Sequence, residues 1–212
     1  MNRAYGALDL TTKDARGKQK GNYKFVHEPR TLSTYAAHLG GEASIGVVPI
    51  NEDNACLWGA IDVDQYPLDH GEILERLSRL EIPLVVCRSK SGGAHLYLFF
   101  KEFIEAEKVQ LKLREIAAEI GYGGCEIFPK QIKLVLERGD NGNFLNLPYF
   151  DHEGGLRYAF NKDGSAATIV EFLDQAEASA ITEDQLDGLL SKDAPVVDDK
   201  LKDGPPCLQA LM

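Results

Sequence analysis

Asp62 and Asp64 stand two residues apart at the end of an apolar run, Leu57-Trp58-Gly59-Ala60-Ile61-Asp62-Val63-Asp64. In a β-strand such positions project to one face, so the two carboxylates stand side by side. Like charges that close repel, and the pair is tolerable only when solvated or bridged by a cation. A second stretch, Arg88-Ser89-Lys90-Ser91-Gly92-Gly93-Ala94-His95, follows one helix and one strand later. Glycine lets the backbone N–H groups of Ser91-Gly92-Gly93 approach a phosphate closely. Lys90 and His95 add a cation and a donor for the outer phosphates of a nucleotide. If the two stretches meet, the chemistry they suit is attack of a primer 3′-hydroxyl on the α-phosphate of a nucleotide, with release of pyrophosphate.

Whether they meet depends on the elements around them. Thr31 to Leu39 reads as a short helix stopped by Gly40-Gly41. Ala43 to Ile50 and Ala55 to Asp64 read as strands separated by the turn Asn51 to Asn54. Ile73, Leu74, Leu77 and Leu80 mark one face of a helix over 69–80. Leu84 to Arg88 is a strand, Ser89 to Gly93 a turn, and Ala94 to Phe100 a strand. Glu105 to Ile120 is the clearest helix, ended by Gly121-Tyr122-Gly123-Gly124, and Cys125 to Phe128 gives a short strand. From residue 55 the order is β-α-β-β-α-β, the RRM-like or ferredoxin-like pattern of an α+β fold. Its strand order, 4-1-3-2, makes the first strand central with both helices on one face. Ile61 and Val63 would face the helices and leave Asp62 and Asp64 on the open face. His95 on the third strand and Glu126 on the fourth would join them. Three carboxylates there suit Mg²⁺ or Mn²⁺, and two such ions can stabilise both the attacking and the leaving oxygen.

The remainder is less regular. Residues 1–42 form a basic lead and the short helix, 43–165 the catalytic domain, and 166–212 a helical and acidic extension. The first 30 residues carry seven basic and three acidic side chains without clear periodicity, as a flexible lead or an arm that orders on a polyanion. After the core, Ile132 to Glu137 reads as one more strand, Arg138 to Asn143 as a turn, and Phe144 to Leu147 as a last apolar piece. Thr168 to Ala176 and Thr182 to Leu190 read as helices with threonine N-caps. Lys192 to Asp203 reads as an acidic linker, and Gly204-Pro205-Pro206-Cys207-Leu208 as the opening of a further region.

A net charge of -10 argues at first against a nucleic-acid partner, but the acidic excess is concentrated near the end, ten acidic against three basic residues over 171–203. No long uncharged apolar run is present, so no membrane span is expected. Cys56, Cys87, Cys125 and Cys207 lack C-x-x-C spacing. Buried reduced thiols, and a bacterial cytoplasm, are the expectation.

Asp62-x-Asp64, then Ser91-Gly92-Gly93-Ala94-His95, then an acid on a following strand, resembles the archaeo-eukaryotic primase superfamily. The surrounding residues, Ala60 to Asp64, Ser89 to Phe100, Phe128-Pro129-Lys130-Gln131 and Gly142-Asn143-Phe144-Leu145-Asn146-Leu147-Pro148, are similar to its primase-polymerase branch from phages, plasmids and TOTE conflict systems. The resemblance spans about residues 43–150. It implies that Asp62 and Asp64 bind metal and that Ser91 and His95 contact the nucleotide triphosphate. The late acid of the family is usually Asp. Here the candidate is Glu126, with Asp140 and Asp151 as weaker options. Lys130 and Arg138 are candidates for phosphate contacts.

The leading reading is therefore a DNA primase/polymerase using dNTPs and/or NTPs on a single-stranded DNA template, with a downstream helicase or replication module as partner. A metal-dependent nuclease would leave Ser91 to His95 unexplained. A non-catalytic single-strand-binding RRM-like module would place two acids where phosphates must lie. Tyr97 and Phe99 share His95's face and are the candidates for base stacking, although Leu96 to Phe100 reads first as a buried strand.

Overall fold

Alternation decides the central strand. In a computed structural model, which describes residues 4–9 and 22–190, β4 (Ala55–Val63) buries Ile61 and Val63 completely against the helices. Ala60 and Asp62 take the opposite face. Asp69 caps α2 (His70–Arg79) by accepting from the N–H groups of Gly71 and Glu72 at 2.8 and 3.3 Å. This satisfies two of the donors a helix start leaves orphaned. One turn apart, Ile73 and Leu77 bury against the sheet. On α3 (Ala106–Glu119), Val109, Leu113, Ile116 and Ala117 do the same.

The central sheet runs β5 (Val85–Arg88), β6 (Ala94–Glu105), β4, β7 (Glu126–Phe128), antiparallel throughout. This is the strand order expected of a β-α-β-β-α-β core. The turn between β5 and β6 is closed by Ser89 N–H donating to Gly93 O at 2.9 Å.

A second antiparallel sheet corrects the reading of the amino-terminal lead. β1 (Tyr5–Asp9) and β2 (Asn22–Val26) form a hairpin that continues through β3 (Ile45–Val47) to β8 (Leu145–Asn146). Gly6 and Gly46 leave the room that the Phe144 ring fills, and Phe25 meets that ring edge-on at 5.3 Å. These strands are short, and β3 and β8 are paired across distant sequence, so no local periodicity announces the sheet. Between β2 and β3, α1 (Leu32–Leu39) starts at a Thr31 capping box.

Residues 132–137 do not form a strand. Leu134 N–H donates to Asn54 Oδ1 and Val135 N–H to Asp140 Oδ2, and a 3-10 turn follows over Leu136–Arg138. Asn and Asp side chains have taken the amides a neighbouring strand would need. α4 (Ile169–Ser179) and α5 (Glu183–Gly188) both begin at threonine capping boxes, Thr168 and Thr182. Among the described residues no helix is long and apolar enough to cross a membrane. Cys56 and Cys87 are buried free thiols, and Cys125 is partly exposed. The expected acidic linker and Cys207 lie outside the described residues.

Candidate active site

Strand register brings the two signature stretches together. Asp62 on β4 lies directly opposite His95 on β6 and Glu126 on β7. Across that row His95 Nε2 stands 3.4 Å from Asp62 Oδ1, outside hydrogen-bonding geometry. The Oδ1 atom is buried and has no hydrogen-bond partner. Both side chains are largely covered, 11% exposed for His95 and 15% for Asp62.

The cover comes from residues 145–172. Leu145, Tyr149, Ala159, Ala167 and Phe172 pack on Ala60, Cys87, Tyr97 and Phe128. They close the sheet face that a bare ferredoxin-like core would leave open. Tyr97 and Phe99 stack at 5.9 Å within this layer, and Tyr97 is 3% exposed. Tyr97 is therefore part of the packing rather than a free platform for bases.

Tyr97 does orient the histidine. Its hydroxyl donates to the Asn146 carbonyl at 3.2 Å and lies 3.3 Å from His95 Nδ1. With its proton committed to the carbonyl, the phenol oxygen accepts from Nδ1–H. This assigns the neutral tautomer whose Nε2 carries a lone pair. Burial lowers the His95 pKa to about 4, with Asp64 acting in the opposite direction and Arg157 assisting. The ring is neutral near pH 7, and a bare nitrogen lone pair faces a bare carboxylate oxygen. Tyr97→Phe should strand Nδ1–H and the Asn146 carbonyl and cost about 1–3 kcal/mol in urea unfolding. An unchanged midpoint would show the hydroxyl to be idle.

Burial also raises the Asp62 pKa to about 6, reinforced by Asp64 and Glu126 and opposed by Lys130. Asp64 is exposed and accepts from the Tyr66 hydroxyl at 2.9 Å. Glu126 is exposed, and its carboxylate is engaged by Lys130 Nζ at 2.6 Å. Lys130 Nζ also lies 5.0 Å from the centre of the Phe128 ring. Among the described residues no group of three or more His, Cys, Asp or Glu is arranged to hold a metal ion. The arrangement is thus an aspartate pair, with Glu126 beside it in register but bound to a lysine. A divalent cation fits what is present, because an orphaned buried carboxylate oxygen, a second carboxylate and a nitrogen lone pair are all ligand atoms.

At the loop, Lys90 and Ser91 are exposed, Gly92 is half-buried and Gly93 is buried. Gly92 has φ +95°, a conformation that favours glycine. Gly93 lies against the Val63 carbonyl with no room for a side chain, and His70 Nε2 meets its carbonyl oxygen at 3.1 Å. The Ser89 hydroxyl is buried without a partner. The weaker acidic candidates do other work. Asp140 accepts from the Val135 amide, and Asp151 packs against Gly41 and Gly154. Arg138 is exposed at the end of the 3-10 turn.

Two residues that the sequence patterns do not single out belong beside the site. The Tyr66 hydroxyl lies between Asp64 and Ser91, joining the two signature stretches. Arg157 is a buried cation that donates to Ser44 Oγ at 2.9 Å, packs on the Phe150 ring at 5.0 Å and acts electrostatically on His95. Its stretch has no periodicity, so only the Arg-aromatic composition hints at it.

No curated protein matches the chain. Among solved structures, the archaeo-eukaryotic primase domain of the cyanophage S-2L primase-polymerase superimposes with a TM-score of 0.45 at 11% identity, covering 82% of this chain and 89% of that one. Residues 10–160 match the family model of the archaeo-eukaryotic primase domain of TOTE conflict systems. That match takes in both signature stretches, Glu126 and the first part of the cover, through residue 160, and the chain belongs to this family of archaeo-eukaryotic primase domains.

Proposed function

We propose that the protein is a template-dependent DNA primase/polymerase. On this reading it makes or extends primers by nucleotidyl transfer on single-stranded DNA, using dNTPs and/or NTPs. Family membership supports nucleotidyl transfer in general. The observation that carries the finer reading is the partnerless buried oxygen of Asp62, set in register between His95 and Glu126.

Primase-polymerases of this family are generally metal-dependent. Here Asp62 and Asp64 would hold Mg²⁺ or Mn²⁺, with Glu126 available once released from Lys130. Such ions supply charge neutralisation at the attacking and leaving oxygens. The protein's own residues bind and orient. The turn from Lys90 to Gly93 receives the triphosphate, with Lys90 as an exposed cation and Ser91 as the exposed donor, the Gly92 N–H being already given to the Ser89 carbonyl at 3.2 Å. His95, held by Tyr97, presents its Nε2 lone pair beside Asp62, where it would serve a cation and not, as expected from the sequence, donate to a phosphate. Lys130 neutralises charge at the rim. Positioning and electrostatics do most of the work in phosphoryl transfer, so no strong general base is needed.

The test is incubation with a primed template, labelled nucleotide and Mn²⁺. Extension of the primer supports the reading. Shortening of the template would replace it with a nuclease, and binding without turnover would replace it with a single-strand-binding module.

A further inference from the structure

Beside Glu126, on the flank of the sheet away from the glycine turn, α3 and β7 enclose a groove of about 430 Å³ lined by Gln110, Arg114, Gly123, Gly124, Glu126 and Lys130. Its chemistry favours an anion. Arg114 is exposed and makes no ion pair or hydrogen bond among the described residues. Gly124 has nothing within 4 Å of where a side chain would begin, so its backbone is open to approach. Lys130 at the rim cancels the charge of Glu126, the one acid in the lining, through their 2.6 Å ion pair. The floor is rigid, because Gln110 Nε2 donates to the carbonyls of Pro129 and Lys130 at 2.7 and 3.0 Å. A guanidinium suits phosphate oxygens, and glycine permits close backbone contact. Glu126 lies opposite Asp62 in register, so the groove borders the reacting region at that residue.

We propose that this groove carries the sugar-phosphate backbone of a single nucleic-acid strand entering the site, with Arg114 as its anchoring cation. This rests on the polymerase reading and adds the path of one strand. Primer and template present the same phosphodiester chemistry, and kinetics separates them.

Arg114→Gln tests it, with Arg79→Gln, an exposed cation on α2, as the control for loss of one charge. Binding of a labelled single-stranded oligonucleotide is titrated at several salt concentrations, and incorporation is measured against varied primer and varied template. Arg114→Gln should weaken binding roughly three- to tenfold and make the log-log salt slope shallower by about 0.7, one single-strand phosphate contact. The KM that rises, for primer or for template, identifies the strand, and the KM for the nucleotide stays unchanged. Unaltered affinity and slope, or an equal effect from Arg79→Gln, would overturn the groove while leaving the polymerase reading intact if incorporation persists. Absence of incorporation by the unaltered chain would instead strike the polymerase reading itself.

Discussion

Asp62→Asn should be inactive and yet more stable than the unaltered chain above pH 6. The loss of activity follows from removing one of the two carboxylates proposed to hold a cation, a change expected to reduce nucleotide incorporation by roughly a thousandfold. The gain in stability follows from linkage. Asp62 has its pKa raised to about 6 from 3.8, by burial first and then by Asp64 and Glu126. The fold therefore favours its protonated form. The stabilisation from that preference is complete below pH 4 and is lost as pH rises through 6. At pH 8 the ionised carboxylate is a burden on the fold, on the order of 1–3 kcal/mol given its partial exposure. The neutral amide of the variant carries no such burden. The difference between variant and parent should be near zero at pH 4 and grow to its full value by pH 7, as urea unfolding in EDTA would show. His95, lowered to about 4, contributes an opposing trend in which acid destabilises, common to both proteins. Mn²⁺ should stabilise the parent through binding and leave the variant unmoved. A variant less stable than the parent at pH 8 would mean that the carboxylate serves the fold, and the site would lose its central residue.

Gly93→Ala carries the second large effect. A methyl group there would lie inside the contact distance of the Val63 carbonyl oxygen, and backbone cannot rotate aside as a side chain could. Val63 is fixed by its pairing with Ala94, and the Gly93 carbonyl is tied to the Ser89 amide and His70. Relief must come from displacing the turn. Displacement of a positioning element by about 1 Å costs roughly a hundredfold in rate, and overpacking costs about 1–3 kcal/mol. Incorporation should fall by about that factor, with the KM for nucleotide raised. Gly188→Ala, where nothing lies within 4 Å, should match the parent. Normal kinetics from Gly93→Ala would show that the turn does not hold the substrate.

The juxtaposition of Asp62, His95 and Glu126 is legible in the sequence because it follows from two simple rules. Period-2 alternation assigns each residue a face, and the β-α-β-β-α-β order makes the first, third and fourth strands neighbours. The cover over that face is not legible in the same way. Tyr149 and Asp151 sit at positive φ and Arg157 is buried in a stretch without repeat, so their positions are set by tertiary contacts alone. The engagement of Glu126 by Lys130 is hidden for a similar reason. They stand four positions apart, and outside a helix that spacing predicts no contact. The hairpin of β1 and β2 leaves no local signal because its sheet draws stability from partners far along the chain.

That hairpin reaches further than its place at the start of the chain suggests. β1 pairs with β3, β3 with β8, and β8 supplies the carbonyl that fixes Tyr97 and, through it, the ring of His95. Trimming the first 26 residues would therefore strip one side of β3, bare the glycine-lined seat of Phe144, and loosen the histidine from behind without touching a residue of the catalytic face. A chain shortened to its recognisable motifs would keep every signature letter and still lose the brace that aims them.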